Sequence, residues 1–211
     1  MKRIGLICLA MVLALGTLGV GYAHWSDDAD IIQTVQTGTV SIGFSKAAVV
    51  DILGDPKDIA WADAFLTGEQ IGVDIMGRPI HEGVTFVIHN AYPGIQVAEV
   101  VDIASAGTIP VHIAGMTEAS FHMAKTDPYL QELETQIVGG TGAPGDPLEV
   151  HFYDADGNVV MILWLVNAVG VQLHQGYFTS LEIHKFFQQP MQMSATYELT
   201  ITMVGVQYNE P

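Results

Sequence analysis

The stretch from Thr85 to Met116 sets what this chain can fold into. Two tight connections cut it into three short runs rich in β-branched residues. Asn90-Ala91-Tyr92-Pro93-Gly94 supplies the first. Proline presets φ near −65° and glycine accepts the positive φ of a type II turn. Ser105-Ala106-Gly107-Thr108 supplies the second. Between them Gln96 to Ile103 alternates imperfectly, with Val97, Val100, Val101 and Ile103 as its apolar set. Short strands that close together predict an all-β sandwich. No reactive group stands out in the stretch, so it reads as a building unit.

The first residues belong to something else. Lys2-Arg3 is a short basic region, Ile4 to Val20 is continuously apolar, and Gly21-Tyr22-Ala23 is a small-x-small site. That is the pattern of a secretory signal over 1–23, with cleavage after Ala23 and an extracellular or cell-surface destination. A retained anchor is the alternative, since the run is at the lower edge of a spanning helix. Cys8, the only cysteine, lies inside this leader. A processed chain therefore has no thiol, and its stability comes from packing and strand pairing.

Charge narrows the partners. Asp and Glu number 23 against 7 Lys and Arg, a formal net charge of −16, and loss of Lys2 and Arg3 makes it two units more negative. Such a surface repels nucleic-acid phosphates and anionic membranes and favours cations. Divalent cations bridging subunits are one use of it.

Residues 24–36 form an acidic segment, His24-Trp25-Ser26-Asp27-Asp28-Ala29-Asp30 followed by an apolar piece. From Thr39 the alternation is clean, with Val40, Ile42 and Phe44 on one face. Here the chain resembles the TasA/camelysin family of secreted biofilm-matrix proteins. The likeness rests on Trp25-Ser26-Asp27 after the leader, Thr37-Gly38-Thr39-Val40-Ser41-Ile42, Ala91-Tyr92-Pro93-Gly94, Ser105-Ala106-Gly107-Thr108-Ile109-Pro110-Val111, and the closing Tyr197 to Asn209. Ala106 departs from the asparagine the family often carries. The resemblance implies a jelly-roll-like antiparallel β-sandwich, here a single domain over 37–211, that is processed by a dedicated signal peptidase and assembles into extracellular fibres.

β-Augmentation is the physical route to such a fibre: an extended segment adds main-chain hydrogen bonds to an open edge while alternate side chains fill pockets. The candidate donor strand is the 24–36 segment, with Trp25, Ile31, Ile32 and Val35 as pocket fillers. Its partners are copies of the same chain, and other matrix or cell-surface proteins are further candidates.

The intervening pieces read as helical insertions near 46–78 and 117–138. Ala47 to Leu53 and Asp58 to Leu66 have helix-like spacing, and Thr117-Glu118-Ala119-Ser120 resembles a helix start. Pro128 to Ile137 puts Tyr129, Leu130, Leu133 and Ile137 on one helical face, with Asp127 as N-cap. Leu148 to Tyr153 and Val159 to Val166 flank Asp154-Ala155-Asp156-Gly157-Asn158 as a hairpin.

Enzyme motifs are weak. His81-Glu82-Gly83-Val84-Thr85 starts like a zinc-protease helix, but Thr85 stands where the second histidine belongs. A camelysin-like metalloprotease is the rival function, and no catalytic or metal-ligating set is assigned. Eight histidines are present without metal-pair spacing; His89 and His112 are the one candidate pair, and only if their strands are neighbours. Asp154, Asp156 and Asn158 resemble the front of a calcium loop, yet Gly157 is fourth rather than sixth and Leu165 occupies the twelfth position. No cofactor is assigned beyond that calcium option. A monomeric adhesin or carbohydrate-binding module is the third reading.

Overall fold

The computed structural model describes residues 2–23, 38–113, 115–126, 131–166, 169–188, 195–203 and 206–207. The chain divides into two compact units, Met1–Thr37 and Gly38–Pro211. The first contains one helix, α1 (Lys2–Ala23), built on the apolar run from Ile4 to Val20. Among the described residues no helix is long and apolar enough to cross a membrane.

The second unit is antiparallel β throughout. Its strands are β1 (Ile42–Leu53), β2 (Trp61–Val73), β3 (Pro79–Ala91), β4 (Gln96–Ser105), β5 (Val111–His112), β6 (Phe121–Lys125), β7 (Gln131–Glu132), β8 (Glu134–Gly139), β9 (Leu148–Tyr153), β10 (Val159–Val166), β11 (Gln172–Leu173), β12 (Phe178–Phe187), β13 (Ala195–Thr202) and β14 (Val206–Gln207). The large sheet runs β7-β6-β13-β3-β1-β4-β12-β10-β9-β8, with β2 on the other edge of β3. A small sheet, β11-β5-β14, stands apart.

The large sheet creases at one place. β13 and β1 share an edge of β3, and β1 meets it only through Phe44 opposite His81. From there β1 turns away to pair along its whole length with β4. One half is thus β2-β3-β13-β6-β7 and the other β1-β4-β12-β10-β9-β8. Leu133, between β7 and β8, donates its N–H to Met123 O at 2.9 Å while β8 pairs with β9. The ribbon 131–139 therefore passes from one half to the other and nearly closes the sheet.

Alternation places the core between the halves. Leu148, Val150 and Phe152 face inward from β9, Leu181, Ile183 and Phe187 from β12, and Tyr197, Leu199 and Ile201 from β13, all buried. Phe44, Phe86 and Ile88 join them from β1 and β3. Each such side chain contributes about 2 kcal/mol through area removed from water.

The expected turns hold. Ile95 N–H donates to Tyr92 O, with Pro93 and Gly94 at the centre and Gly94 at φ 93°. The 154–158 hairpin closes with Asp154 and Asn158 bonded at 3.0 Å and Gly157 at φ 79°. The closing strand ends at Thr202, and Val206–Gln207 pairs in the small sheet instead.

The helical insertions are corrected. Residues 46–53 belong to β1, 61–73 to β2, 131–132 to β7 and 134–139 to β8. Among the described residues of these insertions only Glu118–Ser120 winds, as a single 3-10 turn. Asp127, Pro128, Tyr129 and Leu130 lie outside the described residues. A spacing of four explains the error: it places Leu133 and Ile137, or Trp61 and Phe65, on one face of a helix and on one face of a strand alike. Pairing with β3, β6 and β9 decides for the strand.

Candidate subunit interface

Sequence reasoning placed the interface on Trp25, Ile31, Ile32 and Val35, and all four lie outside the described residues. What the structure gives is the surface such a segment has available. It begins where the chain enters the sandwich. Thr39 N–H donates to Thr108 Oγ1 at 2.9 Å, and Thr108 N–H returns a bond to Thr39 O at 3.0 Å. Ala106 and Gly107 N–H groups both donate to Ser41 O. Gly107 has to be glycine: a Cβ there meets Thr39 O at 2.3 Å. The second turn of the central stretch thus holds residues 39–41 in place.

Besides the short end strands β7 and β8, two long strands have an edge without a partner among the described residues. β2, 13 residues long, pairs with β3 on one side only. β1, 12 residues long, pairs with β4, and beyond Phe44 no strand is hydrogen-bonded along its other edge among the described residues. Their side chains are only half covered. Ala47, Val49 and Ile52 of β1, and Ala62, Ala64 and Leu66 of β2, pack on the core while staying partly exposed. Val50 is 62% exposed, Leu53 50%, Trp61 50% and Phe65 45%. Long apolar edges of this kind pair readily with another chain. The charges Lys46, Asp51 and Asp63 are interspersed with them. Trp61 stacks on His89 with ring centroids 4.7 Å apart.

A clasp fixes the loop joining these edges. The Asp55 carboxylate accepts N–H bonds from Lys57, Ile59 and Ala60 at 3.1, 2.9 and 2.7 Å, and the Tyr92 hydroxyl donates to it as well. The Tyr92 bond, aided by the backbone donors, holds the Asp55 carboxyl below its ordinary range despite desolvation. Desolvation, together with the Asp55 bond, pushes the Tyr92 hydroxyl up to about 12. At the far end of β2 the turn to β3 is clamped by Arg78. Its Nε donates to Asp74 Oδ2 at 2.6 Å, its Nη1 to Asp102 Oδ2 at 2.7 Å and its Nη2 to Ser45 Oγ at 3.2 Å. Ser180 Oγ donates to the other Asp102 oxygen at 2.7 Å. Desolvation raises the Asp74 carboxyl, but backbone and side-chain bonds from Arg78 outweigh it and the net shift is downward.

A cleft at the crease is lined by Val40, Ser41, Ile42, Ile71, Glu82, Thr202 and Met203, an apolar wall with one carboxylate. His81 and Glu82 sit on β3, an extended strand and not the helix a zinc-protease pair requires. His89 and His112 fall in different sheets. Among the described residues no three His, Cys, Asp or Glu side chains converge on a metal-sized point. Asp154 accepts from Asp156 N–H, Asn158 N–H and Asn158 Nδ2, so its carboxylate is engaged in the hairpin itself. The unpaired edges themselves escaped the sequence reading, because edge status depends on which strands arrive as neighbours. The only local signal was the run of alanines and apolar residues from Ala47 to Leu66 with no clean alternation. Compared with protein-family models, curated proteins and solved structures, the chain matches none of them.

Proposed function

We propose that this chain is a secreted structural subunit that assembles with copies of itself into extracellular filaments. The leader is removed after Ala23, and the released segment, through Trp25, Ile31, Ile32 and Val35, adds along an open edge of the next copy. One observation supports the reading: β1 beyond Phe44 and the outer edge of β2 have no paired strand among the described residues, and half-covered apolar side chains lie beside them. An incoming strand pairs with the main chain of such an edge and covers those side chains together. Cleavage next to the donor couples export to assembly.

The test is deletion of residues 24–35 from the processed protein, followed by negative-stain electron microscopy. Intact processed protein forms filaments and the deletion variant does not. Filaments undiminished by the deletion remove this donor from consideration. N-terminal sequencing of material taken from the growth medium checks the first step, with His24 as the expected first residue.

A further inference from the structure

Two charged residues occupy positions in the sandwich that alternation reserves for apolar ones. On β4 the inward set is Val97, Glu99, Val101 and Ile103; on β12 it is Leu181, Ile183, Lys185 and Phe187. The strands are hydrogen-bonded neighbours, with Ile183 opposite Glu99 and Lys185 opposite Val97. Glu99 and Lys185 are therefore diagonal partners on the inner face, within reach of one another. Lys185 Nζ touches Glu99 Oε2. Lys185 is 0% exposed and Glu99 1%. The face of the Phe86 ring covers the amine, 3.8 Å from Nζ to the centroid.

As an ion pair this arrangement is poorly supported. Neither Glu99 oxygen nor Lys185 Nζ has a hydrogen-bond partner beyond the pair contact. A buried ion pair offsets its desolvation only when further hydrogen bonds complete both groups. Desolvation pushes the Glu99 carboxyl up and the Lys185 amine down to about 8, each toward its neutral form and each only partly opposed by the other's charge. A neutral amine with a free lone pair beside a protonated carboxyl is the pair of species that amide condensation consumes. No thiol is available in the sandwich, since the single cysteine, Cys8, lies in α1.

We propose that Lys185 and Glu99 become joined by an intramolecular isopeptide bond. The Lys185 Nζ lone pair attacks Glu99 Cδ, and the N–Cδ bond forms as one Cδ–O bond breaks. A proton from the amine leaves with that oxygen, so one water is released and nothing is oxidised or reduced. Two buried ionisable groups with no hydrogen bonds beyond their own contact become one neutral amide. Burial then protects the product, because hydrolysis requires water at Cδ. The link fastens β4 to β12, both interior strands of one half of the sheet. This does not depend on filament assembly, and it stands or falls separately.

The experiment is mass spectrometry of the purified full chain under denaturing conditions, followed by tryptic mapping. The expected intact mass is one water below that of the unlinked chain with the same termini. The expected map contains a branched peptide joining the region of Glu99 to that of Lys185, uncut after Lys185. The full unlinked mass, or ordinary cleavage after Lys185, overturns the assignment. A one-water deficit that maps to another residue pair overturns it too. Lys185→Met restores the full mass; a deficit persisting in that variant also overturns it.

Discussion

Arg78 joins three elements through one guanidinium. Its side chain is 25% exposed, whereas those of Asp74 and Asp102 are 0% and 6% exposed. Removing the arginine strands two buried carboxylates, so Arg78→Ala is expected to lose about 3 kcal/mol of stability by urea unfolding near neutral pH. Arg78→Lys keeps the charge but not the fork, and loses about 1–2 kcal/mol. The pH dependence has a definite sign. Asp74 is depressed in the folded state, so its contribution is complete above the unfolded value of about 4 and fades as pH falls through the folded one. The gap between the protein and Arg78→Ala is therefore widest near neutrality and narrows in acid. A gap unchanged down the acid range means the ion pairs are not its source. None of this was legible beforehand, because Arg78 sat at the end of a stretch read as a helical insertion. Glu99 was different: the imperfection in the Gln96–Ile103 alternation was Glu99 itself, at an inward position between Val97 and Val101, with Val100 half-exposed. A charge at core parity was the signal, and it carried more than the valines around it.

Among the elements, the strands whose faces differ were the ones the sequence disclosed. β9, β12 and β13 each have one buried and one wetter face, so their alternation is strict. β2 has no fully buried residue: its core-facing Ala62, Ala64 and Leu66 are only half covered, while its outer face carries Trp61 and Phe65, so its hydropathy does not alternate. Its helix-like spacing followed from that, resolved only by pairing with β3. The same half-covered state lets folding and assembly be separated. Val50 and Phe65 are exposed edge residues, so Val50→Lys and Phe65→Lys change the thermal unfolding of the sandwich by no more than about 0.5 kcal/mol. Lysine on an open edge blocks strand addition. The double variant is expected to fold as judged by circular dichroism and to form no filaments under the microscope. Normal filaments from it place the contact somewhere other than these edges.

Taken as a whole, the molecule carries a formal net charge of −16, and the proposed donor segment adds to the problem it must solve, since Asp27, Asp28 and Asp30 travel with Trp25 and Ile31. Copies of such a chain repel one another at long range, and the apolar edges act only once two copies are close. The barrier to encounter is then mostly electrostatic, and salt lowers it: the screening length falls from about 30 Å at 0.01 M to about 10 Å at 0.1 M. Assembly of the processed protein, followed by light scattering, is expected to show a shorter lag and a faster rise as sodium chloride increases over that range. The direction is what identifies the partner. Like-charged copies meet faster in salt, whereas an acidic chain that polymerises on a basic partner meets it more slowly, because salt screens attraction as readily as repulsion. Assembly retarded by salt is incompatible with self-association of this surface and points to an oppositely charged component in the fibre.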